Sequence, residues 1–228
     1  MQKEIHIIKG LPEEGYETFT SRIFSLCEGL LHPSGPAALK LTLTTGTPPA
    51  LSVIPFKRKK VAVISILDAG ENLFEEPALP VGYEGGFLAE EAIPVSYTKS
   101  WKDGSPTPGV CLLTLFHKKT GLDQAEFLSR WHGGHTPLSL RLHPLWNYNR
   151  NVVLKKLGEN STWYDGIVEE QFRKASDLLN PLVFFGPPLK TPAHMWEVWK
   201  DTRSFIDMKR METFLATEYI LKSKKSSG

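Results

Sequence analysis

The feature that most constrains the fold is a repeated order of predicted elements on either side of a short Pro- and Gly-rich segment. Residues 102–109 have the composition of an exposed connection. They divide the 228-residue chain into halves of similar length, 1–101 and 110–221, followed by a polar tail at 222–228. Each half predicts a strand, a helix, two strands, a second helix and a last strand. The chain is therefore expected to fold as two similar α+β units in tandem.

In the first half, short segments rich in alternating or continuous apolar residues predict four strands, at 5–8, 39–44, 61–67 and 87–97. Apolar residues three or four positions apart predict a helix over 15–31. The Pro- and Gly-rich residues 32–36 end it, because proline cannot continue a helix. A short second helix is predicted at 72–79.

The second half repeats this order, with strands predicted at 110–116, 146–154, 164–172 and 211–221. Its first helix has a well-marked start, since Asp123 can cap it and Glu126 completes a capping box. The helix is predicted to end at Gly133-Gly134. A helix at 173–179 is followed by a Pro-rich insertion at 186–192, and a further short helix is predicted at 194–199.

The last strand of each half carries a similar sequence. Residues 87–93 read Phe-Leu-Ala-Glu-Glu-Ala-Ile, and residues 214–220 read Phe-Leu-Ala-Thr-Glu-Tyr-Ile. Together with the element order, this match favours an internal duplication of a ferredoxin-like βαββαβ unit. One such unit exposes a sheet face that must be covered. We therefore predict that the two sheets pack face to face, as an α+β barrel within one chain, with a cavity between them.

The second half also resembles the EthD family. Residues 127–138, Phe-Leu-Ser-Arg-Trp-His-Gly-Gly-His-Thr-Pro-Leu, are similar to the family's aromatic-rich helix that leads to a His followed by Pro-Leu. Residues 148–153 and 164–169 resemble its second and third strands. The resemblance covers roughly residues 110–221, whereas the first half lacks the His motif.

The resemblance implies a dimeric α+β barrel, which a fused pair of units would form inside one chain. It implies little about a reaction, because relatives of the family include cofactor-free oxygenases, decarboxylases, haem proteins and stress-response proteins. A chain that closes its own barrel is expected to be a monomer or a weak homodimer.

His135 is the leading candidate catalytic residue. Phe127, Trp131 and His135 are four residues apart, so a helix that continued to His135 would place all three on one face. An imidazole titrates near neutrality, which suits proton transfer. The alternative is structural, with His135 capping the helix or filling the core.

His132, three residues before His135, invites a metal-site interpretation. No third ligand has a recognisable spacing, however, and we expect no metal.

Polar and aromatic side chains of the same half are expected near the cavity. The candidate substrate-binding residues are Trp131, Tyr148, Asn151 and Tyr164. Glu169 and Glu218 are the further catalytic candidates, as carboxylates that could orient His135, although they could equally be ordinary rim charges. All six tryptophans follow residue 100, which fits a flat ligand or simply a bulky core. Trp196 and Trp199 would share one face of the short helix and could cover the cavity mouth.

Composition excludes several classes of protein. A formal net charge of +2 gives no electrostatic reason to expect nucleic acid, and no apolar run approaches the roughly 20 residues of a membrane-spanning helix. Two distant cysteines form no disulfide or metal pattern, and no basic, apolar leader opens the sequence. We expect a cytoplasmic protein without a membrane partner. Phosphate-binding loops and nucleophile elbows are absent from the sequence.

Three hypotheses for function follow. The first is a cofactor-independent oxygenase or lyase acting on a small apolar or aromatic molecule, with His135 as the general acid or base. The second is a non-catalytic or stress-related barrel that binds such a molecule. The third, suggested only by relatives of the fold, is a haem protein with His135 as axial ligand; otherwise no cofactor is expected.

Overall fold

The computed structural model describes residues 2–32, 35–68, 74, 79–158 and 162–224. The elements of the first half are strand β1 (Gln2–Lys9), helix α1 (Tyr16–Leu30), and strands β2 (Ala38–Leu43), β3 (Val61–Leu67) and β4 (Tyr83–Val95). They match the predicted elements to within a few residues. The helix predicted at 72–79 lies almost wholly outside the described residues.

The second half contains the remaining four strands and most of the helices. Its elements are β5 (Val110–Phe116), α2 (Gln124–Leu128), a π-helical segment (Ser129–His135), α3 (Thr136–Leu142), β6 (Asn147–Lys156), β7 (Gly166–Phe172), α4 (Ala175–Leu179), α5 (Pro181–Phe184), α6 (Thr191–Phe205) and β8 (Glu212–Lys222). Asp123 caps α2 as predicted, because its carboxylate accepts the backbone N–H of Glu126 at 2.7 Å.

The eight strands form one closed antiparallel barrel in the order β1-β3-β2-β8-β5-β7-β6-β4. The first half contributes β4-β1-β3-β2 and the second half β8-β5-β7-β6, so both sheets have the ferredoxin-like strand order. Pairing of β2 with β8 and of β4 with β6 joins the two sheets. The predicted fold class, two ferredoxin-like units that form an α+β barrel within one chain, is confirmed.

Apolar side chains fill the centre of the barrel. They come from every strand except β2 and include Ile5, Ile7, Val61, Val63, Phe87, Leu113, Leu115, Ile167 and Phe214. An eight-stranded barrel is just wide enough for its own side chains to fill it. The cavity predicted between the two sheets is therefore not found at the centre. A pocket of about 340 Å³ opens at one end of the barrel, and its lining includes the charged residues Lys3, Lys40 and Glu91.

Helices cover the outer face of each sheet. In the first half, Phe19, Ile23 and Cys27 of α1 pack on outward-facing residues of β2 and β3. In the second half, the outer face is covered by residues from α2, the π-helical segment and the end of α6, among them Phe127, Trp131 and Phe205. None of the helices in the described part of the chain is long and apolar enough to cross a bilayer.

Two predicted helix boundaries are wrong. The helix that starts after Asp123 does not end at Gly133-Gly134, because the chain stays helical through the π-helical segment and on to Leu142. The short helix predicted at 194–199 is part of the 15-residue helix α6. The connection at 102–109 is mostly exposed, but its Thr107 is buried and its backbone N–H donates to the carbonyl of Glu218 at 2.7 Å.

Candidate functional site

A cavity of about 450 Å³ lies between the outer face of the second sheet and the helices that cover it. Strands β5, β6 and β7 form one wall, and the π-helical segment, α3 and α6 form much of the other. None of the lining residues in the described part of the chain is a lysine or an arginine. The volume and the mainly apolar lining are typical of small-molecule sites. Its aromatic residues are Phe116, Trp131, Tyr148, Phe184, Phe185, Trp199 and Phe205.

The π-helical segment places Trp131 and His135 on the cavity wall. The backbone N–H of Thr136 donates to the carbonyl of Trp131, five residues earlier, which is the hydrogen bond that defines a π turn. Gly133 and Gly134 interrupt the ordinary α-helical preference inside this segment. Phe127, Trp131 and His135 all have ring contacts with Phe205 of α6, so they share one face as predicted.

His135 is held by hydrogen bonds at both ring nitrogens. Its Nδ1 lies 2.6 Å from Oδ2 of Asp201 on α6, and its Nε2 lies 3.2 Å from Oγ of Ser139 on α3. Because a carboxylate only accepts, Nδ1 carries the proton in this pair. In the neutral imidazole, the hydroxyl of Ser139 then donates to Nε2. Asp201 therefore orients His135 with its basic nitrogen at the cavity wall, which is the arrangement that general-base catalysis requires.

Glu170 is the second titratable group of the cavity wall. Its side chain lies between Leu112 and Tyr148 on the neighbouring strands. Burial raises the pKa of Glu170 to about 7, since a carboxylate in apolar surroundings loses its hydration. The site therefore combines a carboxyl group that is still about half protonated at pH 7 with an oriented imidazole.

Two further titratable groups of the cavity are neutral at pH 7. Burial lowers the pKa of His143 to about 4, and Nδ1 of His143 donates to the carbonyl of Phe184 at 2.9 Å. Burial, and then the charge of Glu170, raise the pKa of the Tyr148 phenol. Neither group adds a charge to the cavity at neutral pH.

Three of the residues predicted from the sequence line this cavity, namely Trp131, His135 and Tyr148. Asn151 lies inside the barrel instead, where its amide donates to the carbonyl of Ile167 at 2.9 Å. Tyr164 belongs to the apolar centre of the barrel, with its hydroxyl near Lys9 and Glu212. The prediction that these two residues line the cavity next to His135 is wrong, because their side chains point to the other face of the sheet.

Glu169 and Glu218 are also inside the barrel, and neither contacts His135. Glu169 lies 2.6 Å from Nζ of Lys40 and accepts the hydroxyl of Thr42 at 2.5 Å. Glu218 accepts hydrogen bonds from Tyr97 and Thr107. The prediction that one of these carboxylates orients His135 is therefore wrong. Successive side chains of a strand point to opposite faces, and both carboxylates occupy inward positions.

Asp201 and Glu170 are the functional candidates that sequence reasoning missed. Asp201 is 66 positions from His135, so no local spacing indicates the pair. Glu170 is next to Glu169 in strand β7, which is buried on both faces. Alternation of apolar and polar residues therefore cannot show to which face of the sheet the side chain of Glu170 points.

Of the six tryptophans, Trp131 and Trp199 line the cavity. The ring of Trp196 stacks on Trp199 at 4.8 Å, as predicted from their shared helix face.

The residues present do not favour a metal or haem at this site. In the described ranges, no three His, Cys, Asp or Glu side chains converge as metal ligands. Both ring nitrogens of His135 have protein partners, Asp201 and Ser139. Haem ligation would require the displacement of Ser139 from Nε2, and the lining residues that the structure describes include no lysine or arginine to pair with the propionates of a haem.

Comparison with known proteins supports the fold but not the family. No protein-family model and no curated protein matches the chain, so the EthD resemblance is not confirmed. Among solved structures, the chain is similar over its full length to an anthrone oxidase-like protein, with 9% identity, a TM-score of 0.62 and 96% of that chain covered. It is also similar over its full length to a "Putative monooxygenase" from Fusobacterium nucleatum subsp. nucleatum, with 9% identity, a TM-score of 0.52 and 95% of that chain covered.

Proposed function

We propose that the cavity binds a small, largely apolar aromatic molecule, and that His135 acts on it as a general base in a cofactor-independent reaction of the oxygenase or lyase type. The observation that carries this proposal is the His135–Asp201 hydrogen bond of 2.6 Å at the wall of an apolar cavity of about 450 Å³. An aromatic lining without lysine or arginine favours an uncharged, flat molecule over a polar metabolite.

In the proposed mechanism, Nε2 of His135 replaces its hydrogen bond from Ser139 with one from an acidic O–H or C–H of the substrate. The imidazole removes that proton, and the Asp201 carboxylate stabilises the imidazolium that forms. Removal of the proton leaves an electron-rich aromatic anion, and among the described lining residues no lysine or arginine is present to pair with it. The role of the protein is then to hold the base against the reacting atom and to exclude water.

The oxygenase form needs no external reductant, because the substrate supplies the electrons and O2 is the second substrate. Net oxidation of an aryl CH2 to a carbonyl consumes one O2 and releases one water, so atoms and electrons balance. In the lyase form, the same proton removal precedes cleavage of a bond in the substrate without O2. The fold likeness to proteins named as oxidase-like and as a monooxygenase makes the oxygenase form the first to test.

A non-catalytic binding protein is the second candidate, and it requires only the cavity. In that case the His135–Asp201 pair ties the π-helical segment to α6, as a structural contact. For either candidate we keep the prediction of a monomer or weak homodimer, because the barrel closes within one chain. Light scattering after size exclusion checks this, and an obligate tetramer would contradict it.

The proposal is tested by O2 consumption with anthrone as the probe, corrected for its uncatalysed oxidation, and by quenching of tryptophan fluorescence to measure binding. We expect His135→Gln to lower kcat/KM by about 10²–10⁴ while binding persists. Asp201→Asn should lower kcat/KM less and leave the fold intact. His117→Gln is the matched control, since His117 lies beside Tyr164 and does not line the cavity.

Three outcomes separate the candidates. A His135→Gln variant that keeps the wild-type rate overturns the catalytic role of His135. Binding of anthrone and of related tricyclic aromatics without any turnover favours the non-catalytic candidate. If no such aromatic molecule binds, the proposed ligand class is wrong for both candidates.

A further inference from the structure

Glu170 is a buried carboxyl group on the cavity wall. Its residue is 8% exposed and lines the cavity. In the described part of the chain, no hydrogen bond or ion pair joins its carboxyl group to another residue. Leu112 and Tyr148 flank it across the sheet, and Val168 and Phe172 flank it along β7. A buried polar group in this position requires a partner from the cavity itself.

Among the described residues, none supplies a positive charge that lowers the pKa of Glu170. Arg150 of β6 lies opposite Val168 and donates to the hydroxyl of Thr136. The titratable neighbour on the same face of the sheet is Tyr148 on β6, whose pKa is raised by burial and then by the charge of Glu170. Cys111 on β5 points into the barrel, and its pKa is raised mainly by burial. From the helical side, the cavity wall adds His135 and His143, and His143 is uncharged at pH 7 because its pKa is about 4. A protonated carboxyl group is therefore the favoured state of Glu170 up to about neutral pH.

We infer that Glu170 presents a neutral carboxyl group to the bound molecule and donates a hydrogen bond to an acceptor oxygen on it. This makes Glu170 a further catalytic and specificity-determining residue, which selects uncharged, oxygen-bearing aromatic molecules over anions. The inference rests on the proposed function for one point, that the cavity binds an aromatic molecule.

The chemistry of the two walls is complementary. Glu170 donates from the sheet, and Nε2 of His135 accepts from the helical side, so a ligand with one acceptor oxygen and one acidic proton is oriented between them. When His135 removes the proton, negative charge that develops on a conjugated acceptor oxygen strengthens its hydrogen bond to Glu170. An anionic ligand is disfavoured, because the lining residues that the structure describes include no lysine or arginine to pair with its charge.

The inference is tested by comparing two probes with the same tricyclic skeleton, 9-fluorenone, which carries a carbonyl acceptor, and fluorene, which does not. The measured quantity is the ratio of their Kd values, so that differences in hydrophobicity cancel between variants. At pH 6 we expect the preference for fluorenone to be about fivefold larger in the wild type than in Glu170→Leu, as for one hydrogen bond. Fluorenone-4-carboxylate should bind more than tenfold more weakly than fluorenone.

Two variants separate hydrogen-bond donation from charge. Glu170→Gln still donates from its amide but cannot ionise, so it should keep the preference for fluorenone at both pH 6 and pH 8.5. The wild type should lose most of the preference at pH 8.5, because its carboxyl group ionises with a pKa of about 7. Glu17→Gln is the control, since it removes an exposed carboxylate from α1 in the other half and should behave as the wild type.

A second measurement does not depend on a ligand. The infrared difference spectrum between the wild type and Glu170→Gln at pH 6 should contain the carbonyl band of a protonated carboxyl group, and this band should disappear at pH 8.5. Its absence at pH 6 overturns the inference, and so does a preference for fluorenone that survives in Glu170→Leu. If both probes bind equally well, this inference fails alone. If neither binds, it fails together with the proposed ligand class.

Discussion

Two adjacent carboxyl groups of β7, Glu169 and Glu170, face opposite sides of the same sheet. Glu169 points into the barrel, where burial alone would raise its pKa but the ammonium groups of Lys40 and Lys3 lower it to about 2. Glu170 points into the cavity under the helices, where burial raises its pKa to about 7 and no cation opposes that effect. The residue type and the strand are the same, and the charge at pH 7 differs.

The difference supports the proposal that a ligand binds in the cavity under the helices rather than at the polar end of the barrel. In the polar end of the barrel, Glu169, Glu218 and Glu91 all have partners, and Lys40 and Lys3 balance much of their charge. The charged groups of this network are paired with one another within the protein, and these pairs hold the barrel together. On the cavity side, none of the residues that the structure describes pairs with Glu170, so its polar group is available to a molecule in the cavity.

The largest effect predicted from this comparison is on stability. Lys40→Met should lower the free energy of unfolding by about 3–5 kcal/mol, because it leaves Glu169 and Glu218 buried without their cation. Urea denaturation monitored by circular dichroism measures the change. Lys59→Met is the matched control, since that side chain is 66% exposed, and it should change the free energy by less than about 0.5 kcal/mol. A loss below about 1 kcal/mol for Lys40→Met would contradict a structural role for the network.

The next effect is a pair of opposite pH dependences. For Glu169, the folded pKa of about 2 lies below the ordinary value of 4.5. The contribution of Glu169 to the free energy of unfolding is present above pH 4.5 and is lost as the pH falls toward 2. For Glu170, the folded pKa of about 7 lies above 4.5. The favourable contribution of Glu170 to the free energy of unfolding is fully present below pH 4.5 and is lost as the pH rises through 7. Each change is on the order of 3 kcal/mol by linkage.

These dependences are measured as the difference in unfolding free energy between the wild type and Glu169→Gln, or Glu170→Gln, from pH 2.5 to pH 8. The wild type should lose stability relative to Glu169→Gln on acidification, and relative to Glu170→Gln on alkalinisation between pH 5 and pH 7. Two curves with the same slope would show that the two faces of the sheet do not differ electrostatically.

The sequence predicts the barrel better than the site. Alternating and continuous apolar segments place all eight strands, and the match between residues 87–93 and 214–220 indicates that the halves are alike. Because each half buries one face of its sheet against the other half, the repeated order also leads to the closed barrel. Local periodicity and capping suffice for this level of structure.

The site depends on contacts that no local pattern contains. Strand β7 is buried along its whole length, so alternation cannot show whether Glu169 or Glu170 faces the barrel. The Gly133-Gly134 pair indicates a break in the helix, whereas the structure accommodates it as a π turn and continues the helix. Asp201 reaches His135 only because α6 packs across the π-helical segment. The sequence therefore indicates His135 as a site residue more readily than it identifies Asp201 as the partner of His135.

The smallest predicted effect compares the packing on the two faces of the barrel wall. One methylene group is added in the apolar centre of the barrel, and one is added in the wall of the cavity under the helices. Val63 is fully buried in the apolar centre of the barrel, whereas Val168 lines the cavity. Val63→Ile should cost about 1–3 kcal/mol, because a well-packed interior has no room for the added carbon. Val168→Ile should change the unfolding free energy by less than about 0.5 kcal/mol, since the new carbon enters open space. Equal costs in urea denaturation would mean that the cavity is as tightly packed as the barrel, and the proposed ligand would then have no space to occupy.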